Sequence, residues 1–282
     1  MSTPTAVLFD VPGPKARVRN GALGVVTVIV VAAVLAFVVV RLVATGQFDG
    51  AVWEWILYEN IQLALLEGLA NTLRAFALGA VLALAFGAVF ALGRLSDHAW
   101  VRGVSTGVVE LFRAVPLVVL MFIFYFGLPS AGVTVSTYTA VVAALTLYNG
   151  SVLAEIFRAG VQAVPAGQSE AAYALGMRKS AVMRFVLLPQ AVRSMLPTIV
   201  SQLVVLLKDS ALGFLILYPE LLYQARVLGS SGQLGRPLLP VAFVVAIVYI
   251  TLCLLLTALA NALERRTRRS RVAVPALTDD GA

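Results

Sequence analysis

Five stretches of this chain stay apolar long enough to cross a ~30 Å hydrocarbon core, which takes about 20 helical residues. They lie at 22–43, 69–92, 138–157, 196–217 and 238–260. The stretch 101–128 has a different pattern: Glu110 and Arg113 stand three residues apart, Pro116 follows, and then comes the unbroken run LVVLMFIFYFGL. This order predicts an amphipathic helix along the inner membrane surface that bends at the proline and enters the bilayer as a sixth span. The second span places Ala75, Gly79, Ala83, Gly87 and Ala91 at four-residue intervals, a ridge of small residues that lets another helix approach closely.

Composition agrees with a bilayer. The 282 residues are 60% hydrophobic and 12% charged, too little polar surface to cover a soluble globule of this size. The net charge of +7 reads as topology before it reads as affinity for nucleic acid or acidic ligands, because membrane proteins gather Lys and Arg in cytoplasmic loops. One group is Lys15, Arg17 and Arg19 and a second is Arg94, Arg102 and Arg113. A third is Arg158, Arg178, Lys179, Arg184 and Arg193, and the last is Arg265, Arg266, Arg268, Arg269 and Arg271. Only Arg41, Arg74, Lys208, Arg226 and Arg236 fall elsewhere, so both ends and the segment 158–191 are expected in the cytoplasm.

The first span is too long for a signal-peptide core and its nearest cleavage pattern, Ala44-Thr45-Gly46, is weak, so it is expected to be retained. Trp53, Trp55 and Tyr58 suit an interfacial anchor on the outer side. Cys253 has no partner for an intrachain disulfide, and the tail after Arg271 lacks periodicity and is expected to be disordered. The organisation is therefore a cytoplasmic tail (1–21), an extra N-terminal span (22–43), a core from 68 to 260 carrying the segment 158–191, and a second cytoplasmic tail (261–282).

That segment contains SEAAYALGMRKSAVMRFVLLPQA, Ser169 to Ala191. Pro165, Gly167 and Gln168 predict a turn, Glu170 falls in the first turn of a short helix, and Gly176 ends it in the left-handed conformation. Ser180 then caps a second helix, which Pro189 interrupts before the chain re-enters the membrane. A short helix bracketed by turns suits a socket on another protein; a plain re-entry loop fits the spacing equally well.

The chain has no G-x-x-x-x-G-K-[ST] sequence and so no phosphate-cradling loop of that kind. Gly103-Val104-Ser105-Thr106-Gly107 matches G-x-S-x-G but lacks the strand-turn-helix setting of a nucleophile elbow, and one His with one Cys excludes the usual zinc clusters. Polar groups inside spans are costly and mark a pathway or a buried pair. These are Asn71 and Thr72 on the second span, Asn149, Ser151 and Glu155 on the fourth, and Gln202, Lys208, Asp209 and Ser210 on the fifth. Lys208 stands roughly 18 Å along its span from Leu196, past the midplane. Pathway contact and structural pairing both remain open for it, whereas Glu155 is expected to pair with Arg158 or Arg113.

Glu170-Ala171-Ala172, then Gly176, then Val186 with Leu188-Pro189 resembles the EAA signature of ATP-binding-cassette importer permeases, with valine for the usual isoleucine. EIFRAGVQAVPAGQSEAAYALG and LLPQAVRSMLPTIVSQLVVLLKDSAL look like the polar-amino-acid branch, as do GLANTLRAFALG, ELFRAVPLVV and LYNGSVLAE upstream. The extra N-terminal span, LYNGSVLAEI and LLKDSALG look most like glutamate-uptake permeases of actinobacteria. The resemblance implies an all-α integral membrane protein of the type I importer permease fold, a five-helix core plus an extra helix, in a bacterial plasma membrane. It is not itself an enzyme. Glu170, Ala171, Ala172 and Gly176, with Leu188 and Pro189 behind them, would couple to a cytoplasmic ATPase dimer that binds ATP and magnesium. A homologous second permease and an external solute-binding protein would complete the assembly, with no cofactor in this chain and no nucleic acid. The alternatives are a stand-alone transporter driven by an ion gradient and a structural scaffold without solute flux.

Overall fold

The computed structural model describes residues 13–269; the tail expected to be disordered lies outside them. The chain divides into two compact units, one reaching to Trp55 and the other starting at Ile56. The first is dominated by α1 (Pro14–Ala44), which starts eight residues before the apolar run and has no buried residue. After it, Trp53 Nε1 donates to Gln47 O (3.0 Å).

The second unit begins with α2 (Glu59–Arg94). Next come α3 (Ala99–Ala114) and α4 (Leu117–Phe122), which a π turn (Ile123–Gly127) and a last turn (Leu128–Ser130) prolong. α5 (Thr137–Gln162) returns across the unit, and α6 (Ala166–Ala174) is short. A turn at Lys179–Ala181 and a π turn at Val182–Leu187 lead into α7 (Leu188–Asp209). A 3-10 stretch (Ser210–Ile216), α8 (Leu221–Gly229) and α9 (Leu238–Arg269) complete the described chain. By length and composition, α1, α2, α5, the helix Lys179–Ile216 and the Leu238–Ala260 part of α9 can each span a membrane. The pair α3 and α4, bent by 97°, supplies the sixth.

The small-residue ridge does what its spacing predicts. Ala75, Gly79, Ala83, Gly87 and Ala91 are all buried, and a Cβ on Gly87 would stand 2.8 Å from Leu153 Cβ and 3.1 Å from Ala154 N. Only glycine lets α2 and α5 close to this separation. Leu145 and Leu153 of α5, Leu206 of α7 and Met121 of α4 fill the common core.

The bend before α4 also lies where the proline puts it. Pro116 disfavours helix at the residue before it, and Val115 is extended (φ −85°, ψ 125°). Trp100, Val104 and Leu111 of α3 are exposed while Ser105 and Val109 are buried, so the outward stripe of this helix is apolar, as an interfacial helix requires.

Three expectations about 158–191 change. Residues 166–168 are helical, so Glu170 lies in the second turn of α6, beyond the strongest reach of the helix dipole. Pro189 does not interrupt the helix: the preceding π turn opens the register where the proline's missing N–H would otherwise be demanded, and α7 runs through Pro197 as well. Nor does Ser180 cap this helix, since Arg178 holds the N-cap position without a side-chain bond.

Candidate functional site

The segment between α5 and α7 presents a small rigid body. Gly176, at φ +77°, ends α6 with its N–H donating to Tyr173 O (2.9 Å), and Met177 N donates to Ala172 O (3.2 Å). This pair of bonds is the left-handed closure that glycine permits without strain. Ala172 and Val182 are buried against one another's elements, Gln190 Nε2 donates to Gln168 Oε1 (3.3 Å), and Lys179 pairs with Asp97 at the α2–α3 corner. The ammonium of Lys179 holds the Asp97 carboxyl below the usual carboxylate range. What the segment leaves outside is Glu170, Ala171, Tyr173 and Leu175, the last 83% exposed. Leu188 is half-buried and Pro189 exposed at the start of α7.

The polar candidates inside the spans form two clusters and leave three residues apart. Asn149, Gln202 and Asp209 come together between α5 and α7: Gln202 Nε2 donates to Asn149 Oδ1 (2.7 Å), and Asn149 Nδ2 donates to Asp209 Oδ2 (3.3 Å). Asn71 and Thr72 are instead occupied by the connection before α8. Asn71 Nδ2 donates to Pro219 O (2.9 Å), Tyr218 Oη donates to Asn71 O (2.8 Å), and Leu221 N donates to Thr72 Oγ1 (3.1 Å). Ser151 is buried with no partner for its hydroxyl among the described residues, and Ser210 Oγ donates to Leu207 O (2.7 Å). Lys208 stands apart from all of these, exposed and with no hydrogen bond or ion pair among the described residues. Ser194, Thr198 and Ser201 are exposed on the same face of α7, so a polar stripe runs down that helix to Lys208.

Glu155 pairs with Arg158, as expected, and also with Arg94, whose Nη1 lies 2.9 Å from Glu155 Oε2. Glu110 Oε1 receives both Arg94 (3.3 Å) and Arg113 (3.4 Å). The cluster thus sets three guanidinium groups against two carboxylates toward the C-terminal ends of α2, α3 and α5.

Sequence reasoning missed Arg94 and a buried acid on the other side of the molecule, Glu220. Its carboxylate accepts from Leu222 N (2.8 Å), Tyr223 N (2.6 Å) and Tyr249 Oη (2.7 Å), capping α8 and tying it to α9. The available signal was an acid placed between Pro219 and the amphipathic run of α8.

A family model described as the inner membrane component of binding-protein-dependent transport systems matches residues 83–269. The chain belongs to that family. It is therefore a permease subunit of an ATP-binding-cassette importer and not an enzyme in its own right. The chain is 40% identical over 230 residues to the glutamate transport system permease protein GluD of Corynebacterium glutamicum, covering 80% of this chain and 83% of that protein. It is 33% identical to a probable glutamine ABC transporter permease, GlnM of Bacillus subtilis, over 76% of this chain and 98% of the relative. Among solved structures, an amino acid ABC transporter crystallised with histidines matches with a TM-score of 0.67 and 32% identity, over 73% of this chain and 94% of that one.

Proposed function

We propose that this permease admits a polar amino acid, glutamate first among them, and that it is powered by ATP and magnesium bound in separate ATPase subunits. The observation that carries the coupling part is α6 itself: a short helix outside the spans, locked behind by Gly176, Ala172 and the Lys179–Asp97 pair, and presenting Tyr173 and Leu175 outward. An exposed apolar pair on a rigid body fits a cleft in a partner. Closure of an ATPase dimer on α6 would move it as a unit, and the continuous helix Lys179–Ile216 would carry that motion into the membrane.

The polar stripe of α7 supports the pathway part. Ser194 Oγ donates to Ala191 O and Ser201 Oγ to Pro197 O, so these hydroxyls satisfy themselves. Lys208 does not, and an ammonium in a span requires water, a partner or an anionic solute. A homologous second permease facing this stripe would enclose such a path, and an external binding protein would load it. Substrate choice rests on that lysine together with the names carried by the relatives, of which GluD is assigned to glutamate and GlnM to glutamine.

Reconstituting the assembled importer in liposomes tests the reading. Labelled glutamate should accumulate only with ATP, ATPase and binding protein, and unlabelled glutamate should compete better than glutamine. Uptake driven by a sodium or proton gradient without the ATPase would overturn it. Gly176→Val should abolish uptake and loosen the ATPase on co-purification, because a β-branched residue resists φ +77°, whereas Gly176→Asn should retain both. Glu170→Lys should weaken ATPase retention through the exposed face of α6.

A further inference from the structure

Where α5 and α7 meet near Glu155 and Ser194, the structure holds a shallow, largely open cavity of about 450 Å³, wide enough for an amino acid. Arg113 and Glu155 line it together with Ser194 and Thr198, over an apolar floor that includes Met195 and Gly160. Glycine at 160 is what brings α7 this close, since a Cβ there would stand 2.8 Å from Met195 Sδ.

The charges around this cavity do not cancel. Arg94, Arg113 and Arg158 carry three positive charges, and Glu110 and Glu155 carry two negative ones, which leaves the cluster at +1. Arg94 is held by both carboxylates and its side chain is 11% exposed. Arg158 is bound to Glu155 through both Nε and Nη2. Arg113 is the loosely held member: one contact of 3.4 Å to the shared oxygen of Glu110, and a side chain 36% exposed. The unneutralised charge therefore resides on the one guanidinium that lines the cavity.

We infer that this cavity is a second station for the substrate, at which Arg113 receives a carboxylate of an acidic amino acid before its release to the cytoplasm. A guanidinium presents a planar fork of donors matched to a carboxylate. Ser194, whose proton is committed to Ala191 O, turns an acceptor oxygen toward the cavity, and Glu155 retains lone pairs beyond its two arginines; both suit the substrate's ammonium. Thr198 joins the cavity to the stripe that leads to Lys208. From Ser194 to Lys208 that stripe is roughly 21 Å long at 1.5 Å per residue, so a carboxylate leaving the lysine would meet its next cation at the inner end.

The inference rests on the acidic-amino-acid reading proposed above, and its test separates the two. The complete importer is placed in nanodiscs of neutral lipid without nucleotide or binding protein, and equilibrium binding of labelled glutamate is measured alongside ATP-driven uptake in liposomes. Weak saturable binding is expected. Arg113→Gln should reduce it about tenfold, and Arg113→Lys should restore a large part of it. Thr198→Val, which leaves every ion pair intact, should weaken binding several-fold while the protein level is unchanged. Two results overturn the second station while the importer reading stands. One is full uptake with glutamate binding unaltered in both Arg113→Gln and Thr198→Val. The other is an Arg113-dependent occupant that appears only when anionic lipid is added and ignores amino acid. Absence of any ATP-driven amino-acid uptake by the wild-type assembly overturns the reading on which it rests.

Discussion

Glu220 has no exposed surface, yet it is the hub of the connection between α7 and α8. Replacing it with alanine would strip the acceptor from two backbone N–H groups and the Tyr249 hydroxyl, so Glu220→Ala should destabilise the subunit by about 1–3 kcal/mol, read as a lower melting temperature in detergent. Burial is the largest influence on its carboxyl and pushes it above the usual glutamate range, against the pull of its donors. A raised folded value means that the site's contribution is complete below the ordinary range and is lost as pH rises through the raised one. The melting temperature of Glu220→Gln minus that of wild type should therefore increase from acid to alkaline pH. Tyr218, pushed up to about 12 by burial, stays a neutral donor to Asn71 O throughout. Lys208 poses the opposite problem, an exposed charge with no hydrogen bond or ion pair among the described residues. Lys208→Met should cut glutamate uptake about tenfold more than glutamine uptake at equal protein level; equal losses would defeat charge selection at that residue. The capping of α8 by Glu220 is local and had a signal in the sequence, but its bond to Tyr249 and the bonds of Asn71 and Thr72 to residues nearly 150 positions away had none, because no periodicity encodes them.

Helices obey their local sequence more closely. The four-residue spacing of small residues on α2 announces a packing face, and Gly87 is where the fit is tightest. Gly87→Ala should cost about 1–3 kcal/mol by overpacking against Leu153, whereas Gly103→Ala on α3, with open space around its Cβ, should be neutral or gain up to about 1 kcal/mol of helix propensity. Thermal denaturation of the two purified variants compares them directly. Pro116 and Gly176 were equally readable, since each restricts its own backbone or its neighbour's. Pro189 was not: whether a proline breaks a helix depends on what the preceding turn does with its carbonyls, and a π turn leaves no trace in residue type. Asn149, Gln202 and Asp209 were recognised singly as polar groups in spans; that they form one cluster is set by the docking of α5 on α7.

For the molecule as a whole, the distribution of Lys and Arg predicts α6 inside and the α4–α5 loop outside. In a Cys253→Ser background, Ala131→Cys should react with an impermeant thiol reagent added to whole cells and Ser180→Cys should not; the reverse pattern would refute this orientation. The number of candidate spans was legible because the bilayer imposes a sequence-local demand, a long apolar run. The π turn at Val182–Leu187 has a further consequence. Such a turn contains one residue more than the α turn it replaces, so it sets α6 about 100° around the axis from where an uninterrupted α-helix would put it. The angle between α6 and the membrane helix is thus written as a residue count, an indel-sensitive property that side-chain identity barely touches. Deleting Val186 should silence uptake while the protein still inserts, and Val186→Ala, which preserves the count, should leave most of it.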